Sequence, residues 1–190
     1  TIKEIEVDAI SCTPSYPAHL SGIVRAELGV DPSELGLKLG LFGGEPGLED
    51  ETFKDRMENT WGFKAKNANY GMAEVLCNFA SVCDEVNELH FLGQGAVFTE
   101  LIDPATGKTI PVEEGSFGEL VLTNINRHAQ PLLRYRTHDL VTITGTGSCS
   151  CGRTGFRFKV SGRSDDMVHV KGINVFPSAI AGILNLMTPE

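Results

Sequence analysis

Apolar and polar residues follow two different rhythms along this chain, with the change near residue 95. Over residues 1–95 short apolar runs alternate with stretches of helical spacing. Ile5 to Ile10 reads as a strand, after which Leu20, Ile23, Val24 and Leu28 recur on one helical face, with Ser15 placed as a cap, Pro17 in the first turn and Gly29 as the stop. Leu37 to Phe42 is again short and apolar; the turn Gly43-Gly-Glu-Pro46 follows, then a helix from about Glu49 through Phe53 and Met57, with Asp50 and Glu51 at its positive end. Phe63 to Tyr70 supplies the next strand and delivers the loop Tyr70 to Glu74. Strands alternating with helices predict βαβ units and a parallel sheet.

From about Ala96 the rhythm becomes short strands between turns: Val97 to Ile102, the turn Asp103-Pro-Ala-Thr-Gly107, Gly118 to Thr123, Leu132 to Tyr135 and Leu140 to Ile143. This predicts an antiparallel, barrel-like β subdomain over 96–163. Phe156 to Val160 and Met167 to Lys171 flank a polar turn, Ser161 to Asp166, that suits a hairpin or a hinge; 164–190 is read as that hinge and the start of a further small domain. The stretch around Cys83 and His90 shows little regular pattern. The expected class is therefore α/β, a parallel portion followed by an antiparallel one.

Composition narrows the partners. With 190 residues, 41% of them hydrophobic, the chain can bury a core in one domain or two small ones. A net charge of -9 opposes binding to a nucleic-acid backbone, which needs clustered Lys and Arg, so small ligands are expected. No run reaches the roughly 18 apolar residues of a membrane span, and the first ten residues lack a signal-peptide pattern, so the cytoplasm is the expected compartment. Five cysteines, an odd number, favour reduced thiols or a metal site over a disulfide framework. The chain opens inside a strand without an initiator Met and stops at Glu190 soon after a helix begins near Ser178, which reads as a piece of a longer protein; a natural short protein processed at its N-terminus is the alternative.

In open parallel sheets ligands sit beyond the carboxyl ends of strands, so the loops after Phe42 and Tyr70 form one candidate site. Tyr70-Gly-Met-Ala-Glu74 offers an aromatic for a base, a glycine for close approach and a carboxylate for Mg²⁺, or else is a tight turn. Pro131 to Asp139 ends in polar groups among which an Asp can accept both ribose hydroxyls, or can form a structural ion pair. Gly162-Arg-Ser-Asp-Asp166 adds a second Arg and paired acids. Cys149 and Cys151, with Cys83 and His90, could complete a Cys₃His structural Zn²⁺ site, the alternative being reduced thiols and a surface His. Cys12 and Cys77 read as core residues, and His19, His128 and His169 carry no assigned role.

The order of these motifs is far more specific than any one of them. Gly-Gly-Glu-Pro, Tyr-Gly-x-x-Glu, Gly-Glu-Leu-Val-Leu-Thr, Pro-Leu-Leu-Arg-Tyr-Arg-Thr-x-Asp, Cys-x-Cys-Gly-Arg-Thr, Gly-Arg-Ser-Asp-Asp-Met and Gly-Ile-Asn-Val-Phe-Pro-Ser succeed one another over nearly the whole chain. In this the chain resembles the adenylate-forming superfamily, most closely the phenylacetate-CoA ligase type. The resemblance implies part of the large N-terminal domain and the start of the C-terminal one. It implies that Gly44, Glu45 and Pro46 border adenine, that Asn69 and Tyr70 pack on the base, and that Gly71 permits close approach. Glu74 would hold Mg²⁺, Asp139 the ribose hydroxyls and Arg163 the ribose and phosphate. Asp165 would be the hinge, and Lys171 and Gly172 would lie beside the pantetheine tunnel.

The substrates implied are ATP, coenzyme A and an aryl carboxylic acid, with AMP released from an acyl-adenylate; a homodimer is also compatible. Tyr16 and Phe42 are candidate lining for the acid. Departures are Ala73 where Ser or Thr is usual, His138 where Gly or Arg is common, and Ala179 and Ala181 near an expected Glu. The resemblance also includes a phosphate loop and an adenylation lysine that these residues do not supply, implying that the piece alone does not turn over. Two other readings stand beside the ligase: a non-catalytic module binding nucleotide or zinc, and a nucleotidyl transferase that adenylylates a cofactor.

Overall fold

Three parallel strands carry the N-terminal part of the chain in the computed structural model, which describes residues 4–166, 168–170, 173–175, 177, 180, 183 and 184. They are β1 (Ala9–Cys12), β2 (Leu39–Gly43) and β3 (Lys64–Met72), in the order β1-β2-β3. Parallel neighbours need a crossover, and two helices provide it. Helix α1 (Ser15–Ile23) runs into a π turn, Val24–Leu28, and stops at Gly29, whose φ of 66° no other residue adopts as cheaply. Helix α2 (Glu51–Trp61) begins where the Asp50 carboxylate accepts from the amides of Thr52 and Phe53.

Helices and strands close over Val24, Leu37, Phe42, Leu48, Met57, Trp61, Phe63 and Ala65. Trp61 stacks on Phe63 with ring centroids 6.0 Å apart, and its buried indole N–H donates to the Pro17 carbonyl. Two local expectations are corrected. Residues 4–6 form a turn, with Glu6 at φ 50°, so β1 starts at Ala9 and not Ile5. The N-cap of α1 is Pro14, without a side-chain cap bond, instead of Ser15.

The chain divides into two compact units, Thr1–Tyr70 and Gly71–Glu190. In the second, β4 (Leu76–Ser81), β5 (Leu89–Phe91), β6 (Val97–Ile102), β7 (Thr109–Ile110), β8 (Phe117–Asn124), β9 (Tyr135–Gly145) and β10 (Arg157–Arg163) pair antiparallel in the order β4-β5-β10-β9-β8-β6-β7. A hairpin, β11 (Val168–Val170) with β12 (Ile173–Val175), follows. Leu101, Leu120, Leu122, Val141, Ile143 and Phe158 are almost wholly buried here, and Phe91 stacks on Phe156 at 4.8 Å.

Only Tyr135 of the expected strand Leu132–Tyr135 belongs to β9. Arg134 has φ 49°, and the amides of Leu132 and Arg134 donate to the Asn124 and Thr123 side chains. Pro131 and a left-handed residue break the extension that the apolar pair Leu132-Leu133 suggests. Lys171, Gly172 and the helix start at Ser178 lie outside the described residues. No helix among the described residues is long and apolar enough to cross a membrane.

Candidate functional site

In the first unit the loop after β2 is built by a close backbone approach. A Cβ on Gly43 would collide with the Asn69 carbonyl oxygen, so the ends of β2 and β3 meet only because position 43 is glycine. Beyond it the chain turns through Gly44 (φ 81°), and Gly44, Glu45, Pro46 and Asn69 are exposed, with Tyr70 half-buried. The Glu45 carboxylate accepts from the Ser15 amide at 3.3 Å; Glu49 accepts from the Gly47 amide and from Asn67 Nδ2, both at 2.9 Å. The turn is thus anchored at both ends while its backbone faces outward. Burial, with help from the Glu45 charge, pushes the nearby Cys12 thiol up.

In the second unit Gly71, near the end of β3, lets that strand approach β4 closely, since a Cβ there would collide with the Cys77 carbonyl. Arg127 Nη1 donates to the carbonyls of Ala73, Glu74 and Val75 at 3.2, 2.6 and 3.2 Å. The Glu74 side chain sits exposed on this pinned backbone.

Asp139 and Arg163 are register partners on β9 and β10, and Arg163 Nη1 donates to Asp139 Oδ1 at 3.0 Å. The same guanidinium grips Asp165 with Nε and Nη2 at 2.9 and 2.7 Å, a fork that holds the Asp165 carboxyl below its usual range and the Arg163 pKa above its own. Asp139 is 9% exposed and its amide donates to Thr137 Oγ1, whose hydroxyl in turn donates to the Leu120 carbonyl. Beneath lies Glu119, wholly buried. It accepts from Arg136 Nε (2.9 Å) and Nη2 (2.6 Å), from the His138 amide (3.3 Å) and from Ser164 Oγ (3.3 Å). Burial pushes its carboxyl up, but the Arg136 bonds and charge outweigh this and hold it below the ordinary range. The Asp139 and Asp165 carboxylates can accept hydroxyls while the guanidinium between them meets an anion.

A second constellation in this unit joins Cys83, His90, Cys149 and Cys151, whose ligand atoms all lie within 4.8 Å of one another. Cys83 follows β4, His90 lies on β5, and the other two are in the β9–β10 turn. Arg153 Nη1 donates to the Val82 carbonyl at 2.9 Å, and Arg157 reaches Glu88 at 3.0 Å and the Gly147 carbonyl at 3.1 Å, so the turn is tied to the segment between β4 and β5 that contains Cys83 and leads into His90. His90 is fully buried; burial, then the charges of Arg153 and Arg157, lower its pKa and keep the imidazole neutral, as a metal ligand must be. The Cys151 amide, first among several groups, lowers the Cys149 thiol. A tetrahedral Zn²⁺ with sulfur ligands at about 2.3 Å places them roughly 3.8 Å apart, close to what this cluster offers.

Of the residues singled out in the sequence, Gly44, Glu45, Pro46, Asn69 and Tyr70 lie in the first unit, and Gly71, Glu74, Asp139, Arg163, Asp165 and the four soft ligands in the second. Within these, Asp139, Arg163 and Asp165 are brought together, as are the Cys and His residues. Sequence reasoning assigned nothing to Glu119, Arg136, Ser164, Arg127, Arg153 or Arg157. A glutamate inside the apolar run Gly118 to Leu122 was the available signal for the first.

No protein-family model matches the chain. The phenylacetate-coenzyme A ligase of Pseudomonas putida is 36% identical over 180 residues, covering 94% of this chain and 39% of that protein. The enzyme of the same name from Thermus thermophilus is 36% identical over an alignment of 191 positions, covering 100% and 41%. A crystal structure of 2-hydroxyisobutyryl-CoA ligase in the postadenylation state in complex with 2-HIB-AMP superposes with a TM-score of 0.85 at 33% identity, over 98% of this chain and 39% of that one. The chain spans about two fifths of the length of the curated relatives it matches. Over its whole length, then, the chain is a homologue of the phenylacetate-coenzyme A ligases and shares the fold of the adenylate-forming acyl-CoA ligases.

Proposed function

We propose that the chain supplies nucleotide-handling elements of an ATP-dependent ligase that joins phenylacetate or a related aryl acid to coenzyme A. The observation that carries this reading is the buried Asp139 held in register with Arg163, a carboxylate for ribose hydroxyls beside a cation for phosphate. Homology to phenylacetate-coenzyme A ligases supports the substrate class. The exposed backbone of Gly44 to Pro46 suits an adenine edge, Asn69 and Tyr70 its face, and Gly71 close approach. Asp165 serves as the hinge, with Lys171 and Gly172 near the thioester chemistry.

In the first step a substrate carboxylate oxygen attacks the α-phosphorus of ATP, forming the acyl-phosphate bond as pyrophosphate departs. In the second the coenzyme A thiolate attacks the acyl carbon and AMP leaves. Activation is needed because a carboxylate is a poor electrophile, and the protein contributes positioning and fixed charge. Mg²⁺, held at Glu74, would neutralise phosphate charge; an exposed carboxylate on a pinned turn suits a cation that retains waters. Cys83, His90, Cys149 and Cys151 fit a structural Zn²⁺, and a cytosolic setting keeps such thiols reduced. Because that cluster is complete within the second unit, a zinc-binding module is the second reading.

Calorimetric titration with a non-hydrolysable phenylacetyl-adenylate mimic tests the proposal. Weak binding is expected, and Asp139→Ala, which removes a charged hydrogen-bond partner, should weaken it by roughly 10- to 100-fold. A folded chain that does not bind the mimic, or binds it equally well without Asp139, refutes the nucleotide reading.

A further inference from the structure

The β8–β9 ladder is broken where Asp139 sits. Glu119 pairs with Leu140 and Val121 with Arg136, so Thr137, His138 and Asp139 together stand opposite Leu120. The bulge needs a left-handed residue, and His138 takes that conformation at φ 63° without being glycine. On the other side β10 is irregular too, with a register shift between Val160 and Gly162 just before Arg163. Regular β8–β9 pairing therefore stops short of Asp139, and on the β10 side only the Gly162–Leu140 pair leads from the register shift into Asp139–Arg163.

Glu119 spans the gap. One buried carboxylate holds the strand before the bulge through Arg136, its apex through the His138 amide, and the exit of β10 through Ser164 Oγ; the Ser164 amide closes the circuit on the His138 carbonyl at 2.7 Å. The His138 ring joins in, Nδ1 lying 3.2 Å from Ser164 Oγ and 3.7 Å from Glu119. A buried charge with so many converging donors is not needed to fill a strand that is otherwise apolar. We infer that Glu119 is a positioning residue, which locks the bulge that aims Asp139 at Arg163. Resting on the nucleotide reading above, this makes it a determinant of ribose recognition without touching the ligand.

Glu119→Gln keeps the shape and removes the charge. The adenylate mimic and its 2′,3′-dideoxy counterpart would be titrated against wild type and E119Q, with amide hydrogen exchange of His138 and Ser164 followed by NMR in both. Wild type should prefer the ribose compound. E119Q should lose most of that preference, about tenfold, while binding the dideoxy compound as wild type does, and its His138 and Ser164 amides should exchange at least about tenfold faster with β6 amides unchanged.

An unchanged preference or unchanged exchange in a folded E119Q overturns the inference. Absence of any ribose preference in wild type defeats the ribose reading alone, and the exchange rates then decide whether Glu119 locks the bulge. Should E119Q not fold, Arg136→Lys, which keeps the charge and loses the fork, must loosen the same two amides or the inference fails.

Discussion

At the scale of single residues, Glu119 is where burial and charge oppose each other most directly, and the outcome has a sign that can be measured. Arg136 and the His138 amide keep its folded pKa below the ordinary value despite burial. A lowered folded pKa means that unfolding takes up a proton when the pH falls beneath the unfolded value, about 4.3 for Glu. The stabilisation is therefore full above that pH and is lost as pH falls towards the folded value. Asp31, Asp103 and Asp165 are shifted the same way, so the wild-type curve alone does not isolate Glu119. The difference between wild type and E119Q does: urea unfolding should show a stability gap at pH 7 that narrows by pH 3, and a gap independent of pH would contradict the assignment.

Asp139, Arg163 and Asp165 were legible in the sequence because motif order marked them. Arg136 and Glu119 were not, since a pair 17 residues apart depends on a bulged register that no local pattern encodes.

At the scale of elements, legibility followed chain chemistry. The strand read from Val97 to Ile102 has those bounds in the structure, its apolar run being closed by the Asp103 turn, whose carboxylate accepts from the amides of Ala105 and Thr106. Strands β4 and β5 were missed because Cys83 to Glu88 between them is polar and β5 is only three residues long. These unpredicted strands bring Cys83 and His90 to the Cys149–Cys151 turn.

Zinc there would add a cross-link between the segment after β4, strand β5 and the β9–β10 turn, on top of the strand pairing and arginine contacts that join them. Protein purified without chelator should carry about one Zn²⁺ per chain, and Cys149→Ser or Cys151→Ser should lower that content. Linkage of even about 2 kcal/mol amounts to roughly 4–8 °C for a chain of this size, so chelation should lower the unfolding midpoint by at least that much. Metal analysis that finds no zinc would dismiss the site.

At the scale of the whole molecule, the sequence changes rhythm near Ala96 while the compact units divide after Tyr70. The physical reason is β5: it pairs with β10 across more than sixty residues of sequence, drawing the stretch before Ala96 into the antiparallel sheet. Pairing so distant leaves no periodic trace, whereas the βαβ rhythm of the first unit is local and was read directly. Each unit also buries its own apolar set, Phe42, Trp61 and Phe63 in the first and Phe79, Leu122 and Phe158 in the second. Cooperative opening follows such cores. The four soft ligands belong wholly to the second unit, so chelation should raise amide exchange in β4, β5, β9 and β10 and leave β1 to β3 within about twofold of their original rates. Exchange accelerated equally in both sets of strands would show that the units open as one and that the metal cluster stabilises the whole chain.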